Sequence, residues 1–284
     1  MLNTFLSPPE FINCNGKLIS LLVPKIMGIL NITPDSFYDG GYYRTEKEIR
    51  KRIETMIEEG ADFIDIGAIS SRPWADILDE TTEWERLKKV LPMIKDYVSE
   101  VCFSIDSFRA NIVKRAVNEF GVGMINDITA GSMDNNMFQI VAELQVPYII
   151  MHMRGIPKTM QIDPEYNNVT VDIIRFFSKK IAHLKLLGVN DVIIDPGFGF
   201  GKTIEDNYQL LRNLDSFKVL ELPLLVGLSR KSMIYKLLDT TPDDALAGTI
   251  VLNTLALLNG AAILRVHDVK EAVQMIRIIE KIKK

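Results

Sequence analysis

Short apolar runs and longer amphipathic segments take turns along this chain. KIMGILNI precedes a helical pattern around 45–59, DFIDIG one around 80–98, VCFSID one around 109–119, and GMIND one around 134–144. PYIIMH then precedes 170–187, DVIIDPG precedes 205–214, PLLVGLS precedes 230–237 and 243–259, and AAILRVH precedes 269–281. The apolar runs lack the alternation of a strand with one face in water, so both faces must be covered, as in a parallel sheet clothed by helices. Eight such units are the number that closes a (β/α)8 TIM barrel, and that α/β fold is expected here over an open doubly wound sheet.

Residues 11–21, FINCNGKLISL, set Asn15 and Gly16 between two short apolar segments, the pattern of a two-residue β-hairpin. The expected organisation is one domain over 1–284, with an N-terminal hairpin at 11–21 and the barrel at 25–284. No Gly/Ser linker, low-complexity tract or internal repeat divides it.

The active site of such a barrel lies at the C-terminal ends of its strands. The first run ends in Asn31 before TPDSFYDGG, the second in Asp65 before GAISSRP, the third in Asp106, and the fourth in Asn126 and Asp127. The fifth ends in Met151, His152 and Met153, and the sixth in Asp195 before PGFGFGKT. The seventh leads to Gly227, Ser229, Arg230 and Lys231, and the eighth to Arg265, His267 and Asp268. Singly, an Asp after a strand reads as a helix N-cap, Asp106 and Asp268 included. Capping does not require Asn, Asp, Lys, Arg and His from six strands at one mouth, so a polar ligand site is expected.

Asp106, Asp195 and Asn126 suit a heterocyclic edge rich in N–H donors, while Lys231, Arg72, Arg265 and His267 offer cations to an anionic group. Asn31 and Asp35 are oxygen donors of the kind Mg²⁺ takes while keeping most of its water. Two connections, 33–44 and 67–79, are long for this fold and carry Gly, Pro and aromatic residues, as functional lids do.

Composition narrows the picture further. Of 284 residues 47% are hydrophobic and 25% charged, which supports a full core and excludes disordered and fibrous classes. A net charge of −4 without a long basic run argues against a nucleic-acid partner, so cations for an anionic ligand must be gathered locally. Cys14 and Cys102 stand far apart and suggest neither a disulfide framework nor structural zinc, which fits a reducing cytoplasm. The N-terminus lacks a signal-peptide pattern, and the most apolar stretch, Ile250 to Val266, is interrupted by Asn253, Thr254, Asn259 and Gly260, so no membrane span is expected.

Several motifs are set aside. GFGFGKT is one residue short of the phosphate-binding GxxxxGK[ST] loop. His152, His183 and His267 have no metal-ligand spacing; His183 reads as structural on its helix, and His152 is as readily a core histidine as a site residue. There is no GxSxG elbow, and neither cysteine sits in a nucleophile setting.

MGILNITPDSFYDGG, SIDSFRA, INDITAG, MHMRGIPKTMQ, IIDPGFGFGKT, VGLSRKSMI and AAILRVHDV, read together, closely resemble the dihydropteroate synthases, in the family's order and over nearly the whole chain. The resemblance implies condensation of 6-hydroxymethyl-7,8-dihydropterin diphosphate with p-aminobenzoate to 7,8-dihydropteroate and pyrophosphate, in folate biosynthesis, with Mg²⁺. It also implies sensitivity to sulfonamides and a homodimer, for which the apolar last two helices offer a face. Carried over by motif, the pterin pocket comprises Asp106, Asn126, Asp195 and Lys231, walled by Ile128, Met151, Phe200 and Gly227. Diphosphate meets Asn31, Arg72, Arg265 and His267, with the metal on Asn31 and Asp35. The benzoate pocket takes Phe37, Ser71, Pro73, Phe200, Lys231 and Ser232, and the catalytic group is Lys231, Asp106, Asp195, Arg265 and His267.

Where many members read GGESTRP(G), this chain reads GAISSRPW: Ile69 replaces Glu, Ser71 replaces Thr and Trp74 a small residue. Arg154 stands where Gln is frequent. Two other readings are a pterin-dependent methyltransferase domain and a catalytically silent pterin-binding paralogue. TPDSF, SSRP, SRKS and RVHD, which serve diphosphate and benzoate, favour the synthase over the methyltransferase.

Overall fold

The computed structural model describes residues 8–32, 45–69, 78–155, 160 and 164–283. Strands β1 (Phe11–Cys14) and β2 (Lys17–Ser20) form the expected antiparallel hairpin, with Asn15 and Gly16 at positive φ of 52° and 83° as the tight turn requires. Eight parallel strands follow: β3 (Lys25–Asn31), β4 (Phe63–Gly67), β5 (Cys102–Asp106), β6 (Met124–Asp127), β7 (Tyr148–Met151), β8 (Val192–Asp195), β9 (Leu225–Val226) and β10 (Ile263–Val266). They pair in the order β8-β7-β6-β5-β4-β3-β10-β9. The ring closes where Ile194 bridges to Leu224 and its N–H donates to the Pro223 carbonyl at 3.0 Å, giving a (β/α)8 barrel.

Helices α1 (Glu46–Glu59), α2 (Glu80–Leu87), α3 (Leu91–Ile94), α4 (Ala110–Phe120), α5 (Met137–Leu144), α6 (Val169–Leu186), α7 (Ile204–Arg212), α8 (Ser232–Tyr235), α9 (Leu246–Leu258) and α10 (Val269–Lys283) surround it. The single helix expected over 80–98 is two pieces. Pro92 has no N–H to return to the Lys88 carbonyl and its ring crowds that oxygen, so the turn cannot run through. The helix expected over 205–214 is α7, and a 3-10 helix, Leu214–Leu220, follows it.

Alternate residues of a strand point to opposite faces, which explains why these strands are apolar throughout. Ile64, Ile66, Ile105, Ile125, Ile150, Ile194 and Leu264 face outward into the layer shared with the helices. Met27, Phe63, Met124, Ile149, Ile193, Leu225 and Ile263 face inward as one layer, with the half-buried Cys102 beside them. Ile12 and Cys14 of the hairpin pack into that inward layer, helped by Ile19 and Leu21, so the hairpin plugs the N-terminal end of the barrel. Two cysteines 88 positions apart in sequence thereby become neighbours. Among the described residues no helix is long and apolar enough to cross a membrane.

Candidate active site

Two residues beyond the inward apolar layer, the same face of the eight strands carries Ile29, Asp65, Ser104, Asn126, Met151, Asp195, Gly227 and Arg265. The period of two thus lifts a ring of mostly polar side chains directly above the plug, towards the C-terminal mouth. Asp65 is fully buried at its centre: its Oδ2 accepts from Asn126 Nδ2 at 2.9 Å and from Arg265 Nε at 2.7 Å. Arg265 Nη2 also donates to Asp106 Oδ2 at 3.2 Å, so one guanidinium bridges two carboxylates. One residue pair higher, a Cβ on Gly67 would lie 3.3 Å from Asn31 Oδ1 and 3.4 Å from Asp106 Oδ2, which brings Asn31 and Asp106 together across that glycine.

These contacts set the protonation of the ring. Burial, reinforced by the Asp65 charge and opposed by Arg265, pushes Asp106 up to about 8. Burial also raises Asp195, against the pull of Lys231. Its Oδ1 accepts the Gly197 N–H at 2.8 Å. Lys231 is brought down to about 8 by burial, against Asp195. It donates to the Phe198 carbonyl and stands 4.6 Å from the centre of the Phe200 ring. Ser232 opens α8 immediately after it.

His267 was expected as a cation, whereas its surroundings disfavour the charged form. Burial and the nearby Arg265 charge push its imidazole down to about 3, and Nδ1 lies 3.0 Å from Ser229 Oγ. It reaches the mouth as a neutral hydrogen-bonding group. Of the two candidate caps, Asp106 is not one. Asp106 leaves the start of α4 to Arg109, and the Ala110 N–H instead donates to Asp134 Oδ2 at 2.8 Å. Asp268, just before α10, is gripped by Arg230 through Nε at 2.9 Å and Nη2 at 2.8 Å.

An apolar patch lies beside the ring, made of Phe108, Ile128 and Met151 with Ile69, Met153 and Phe200 against them. Ile128, Met151 and Phe200 were expected as pocket walls; Phe108 was not, nor was any contact from Ile69. Gly227 sits at the seventh strand end with its missing side chain facing Arg265, 3.8 Å from Arg265 Cβ. Asp35, Phe37, Ser71, Arg72 and Pro73 lie outside the described residues, as do Trp74 and most of both long connections.

Two further residues escaped the sequence reading of the site. Asp65 was noted at a strand end but given no role; its signal was a single acidic residue in an otherwise apolar strand, in register with Phe63 below. Lys202, the lysine of GFGFGKT, turns inward rather than towards a phosphate. It is 3% exposed and donates to the carbonyls of Gly197 at 2.8 Å, Phe200 at 3.0 Å and His152 at 3.3 Å. It also approaches His152 Nδ1 at 3.2 Å, so His152 is a core histidine, pushed down to about 2 by burial and then by the Lys202 charge. Gly197, at φ 72°, makes this possible, since a Cβ there would lie 2.0 Å from the His152 carbonyl oxygen. Arg154 stacks its guanidinium 5.0 Å from the Tyr166 ring, whose hydroxyl donates to the Gly201 carbonyl at 2.7 Å.

Among the described residues no cluster of three or more His, Cys, Asp or Glu could hold a metal. A dense protein cage is thereby excluded there, whereas Asn31 retains the single hard oxygen that a largely hydrated Mg²⁺ needs.

Comparison with known proteins gives a consistent result. A family model described as "Pterin binding enzyme" matches residues 27–267. The dihydropteroate synthase of Haemophilus influenzae is 42% identical over 268 residues, which cover 93% of this chain and 96% of that one. The Yersinia pestis dihydropteroate synthase, solved with a sulfonamide drug complex, superposes with a TM-score of 0.91 at 38% identity, covering 96% of this chain and 99% of that one. The Xanthomonas albilineans enzyme in complex with 7,8-dihydropteroate superposes with a TM-score of 0.82 at 32% identity, covering 97% and 99%.

Proposed function

The chain belongs to the dihydropteroate synthase family of pterin-binding enzymes, and on that basis we propose that it joins 6-hydroxymethyl-7,8-dihydropterin diphosphate to p-aminobenzoate, giving 7,8-dihydropteroate and pyrophosphate. The observation that carries this reading is the ring of Asp65, Asp106, Asn126 and Arg265 set beside the apolar Ile128–Met151–Phe200 patch at one mouth. A flat ring with one polar, N–H-rich edge fits an apolar wall that ends in carboxylates and an amide.

Asp106, Asn126 and Asp195 hold the pterin edge, and Ile128, Met151, Phe200 and Gly227 wall it. As the C–O bond to diphosphate breaks and the ring becomes cationic, its charge draws Asp106, held up to about 8 by burial, and Asp195 towards their carboxylate forms, which then stabilise it. Arg265, together with Asn31, Arg72 and a neutral, hydrogen-bonding His267, faces the departing diphosphate. Lys231, fixed by the Phe198 carbonyl and the Phe200 ring, lies where pterin and benzoate meet. Phe37, Ser71, Pro73 and Ser232 complete the benzoate side, placing the amino nitrogen so that its lone pair forms the new C–N bond and its surplus proton leaves afterwards. Asn31 and Asp35 would hold a Mg²⁺ ion, which would supply further positive charge to the leaving diphosphate.

The same reading places the protein in the cytoplasm as a homodimer. Val251, Leu255 and Leu258 on α9 and Ile278 and Ile282 on α10 are exposed at helical spacing, which supports a partner face on the last two helices. Light scattering at micromolar concentration tests the dimer.

The deciding experiment follows pyrophosphate release from the pterin diphosphate and Mg²⁺, with and without p-aminobenzoate, beside a Lys231→Ala variant. Benzoate-dependent release that collapses in the variant establishes the synthase. Pterin binding without benzoate-dependent release transfers the assignment to a silent pterin-binding paralogue or a methyltransferase.

A further inference from the structure

Cys14 ends β1 and Cys102 begins β5, and the docking of the hairpin brings them to the same place. Cys14 is 4% exposed within the inward apolar layer, and Cys102 is half-buried against that layer. The hairpin tip is pinned there by Asn15 Nδ2, which donates to the Gly121 carbonyl at 2.8 Å. A Cβ on Gly123 would lie 2.9 Å from Cys102 Sγ and 3.3 Å from Asn15 Nδ2, so the Cys102 sulfur and the side chain that follows Cys14 flank the same glycine. Cys14 and Cys102 thus share one apolar cluster at the base of the barrel. Both are free.

We propose that Cys14 and Cys102 form a reversible disulfide that fastens the hairpin plug to the N-terminal end of the barrel. A small-molecule disulfide is the oxidant. The Cys102 thiol, the more exposed of the two, loses its proton and attacks one sulfur of the oxidant, expelling one thiolate. The Cys14 thiolate then attacks the Cys102 sulfur of the mixed disulfide and releases the second thiolate. Two protein thiols are oxidised, one external disulfide is reduced to two thiols, and the two protons pass to the released thiolates. Contact with Cys14 and burial hold the Cys102 thiol well above its ordinary range, so the first step is slow at neutral pH and faster in alkali. The bond closes a long loop of chain and lies at the opposite end of the barrel from the candidate active site, so it acts on unfolding rather than on turnover.

The test uses the whole chain, fully reduced and then incubated with oxidised glutathione at pH 8.5. The expected result is a loss of two hydrogens in the intact mass, a Cys14–Cys102 linked peptide, no thiol left to alkylate, and a thermal midpoint raised by about 5 °C or more. Benzoate-dependent pyrophosphate release should stay within about twofold, and reductant should reverse the midpoint shift. Cys14→Ala and Cys102→Ala should each lose the shift. Two thiols still alkylatable, a glutathione adduct alone, or a bond between two chains would overturn the proposal. An internal bond that leaves the midpoint unmoved would overturn the fastening role, and the wild-type mass reads the bond even if a variant folds poorly.

Discussion

Arg265 and Asp65 stand 200 positions apart in sequence and meet at 2.7 Å in the barrel mouth. The strands that carry them, β10 and β4, are not neighbours; β3 lies between them. Asp65 therefore holds Asn126 on one side and Arg265 on the other, each two strands away. Asp65→Ala would leave a guanidinium and an amide without their acceptor, and should cost about 3 kcal/mol in urea unfolding. Asp65→Asn should cost less stability yet still raise KM for the pterin diphosphate.

Lys231 carries a different expectation. Lys231→Ala should lower kcat/KM by about 100-fold or more, in line with the loss of a preorganised charged donor, with the thermal midpoint little changed. Lys231→Arg should recover only part of this, because a planar guanidinium cannot reproduce the ammonium between the Phe198 carbonyl and the Phe200 ring. Steady-state kinetics on the purified variants checks both.

Lys202 is expected to act through shape. Lys202→Met keeps the chain volume but leaves the carbonyls of His152, Gly197 and Phe200 without their shared donor, at a cost of about 2 kcal/mol. Phe200 should then sit less firmly against Met151, raising KM for the pterin diphosphate more than it lowers kcat. Equal falls in kcat at unchanged KM would contradict this.

Acid should unfold the protein earlier than its carboxylates alone require. His152 has its folded value pushed down to about 2 and stays neutral in the barrel, whereas the unfolded chain takes up a proton below its ordinary value near 6.5. The unfolded state then binds more protons, so this contribution is complete above about pH 7 and declines as pH falls, by about 2 kcal/mol at pH 5. His267 acts in the same direction. Asp106, held up to about 8, contributes with the opposite sign, so the difference in urea midpoints between wild type and His152→Gln across pH 5 to pH 7 checks the histidine slope.

The sequence made the strand ends legible because the uniformly apolar runs are short and end abruptly in polar residues. Asp106, Asn126, Asp195, Lys231 and Arg265 were each found in that way, and the structure gathers them at one mouth. The missed residues are informative. Asp65 lies two positions before its strand's last residue, among apolar neighbours, and only the inward register shows that it shares a layer with Asn126 and Arg265. Lys202 looked like part of a phosphate loop because a motif records spacing and not the direction in which a side chain turns. The break after α2 lay in Pro92, a local rule overlooked within a convincing amphipathic pattern. The charge of His267 could not be read from its residue type, since burial and Arg265 decide it.

Strand β10 enters between β3 and β9, and so joins the beginning of the barrel to its end. A ribosome delivers Asp65 and Asp106 long before it delivers Arg265. Throughout most of synthesis the nascent chain carries two acids that have no countercharge, and it cannot bury them together at low cost. The polar mouth is thus complete only once Arg265 has joined it, and chains that stop short of residue 265 should be left open to proteolysis.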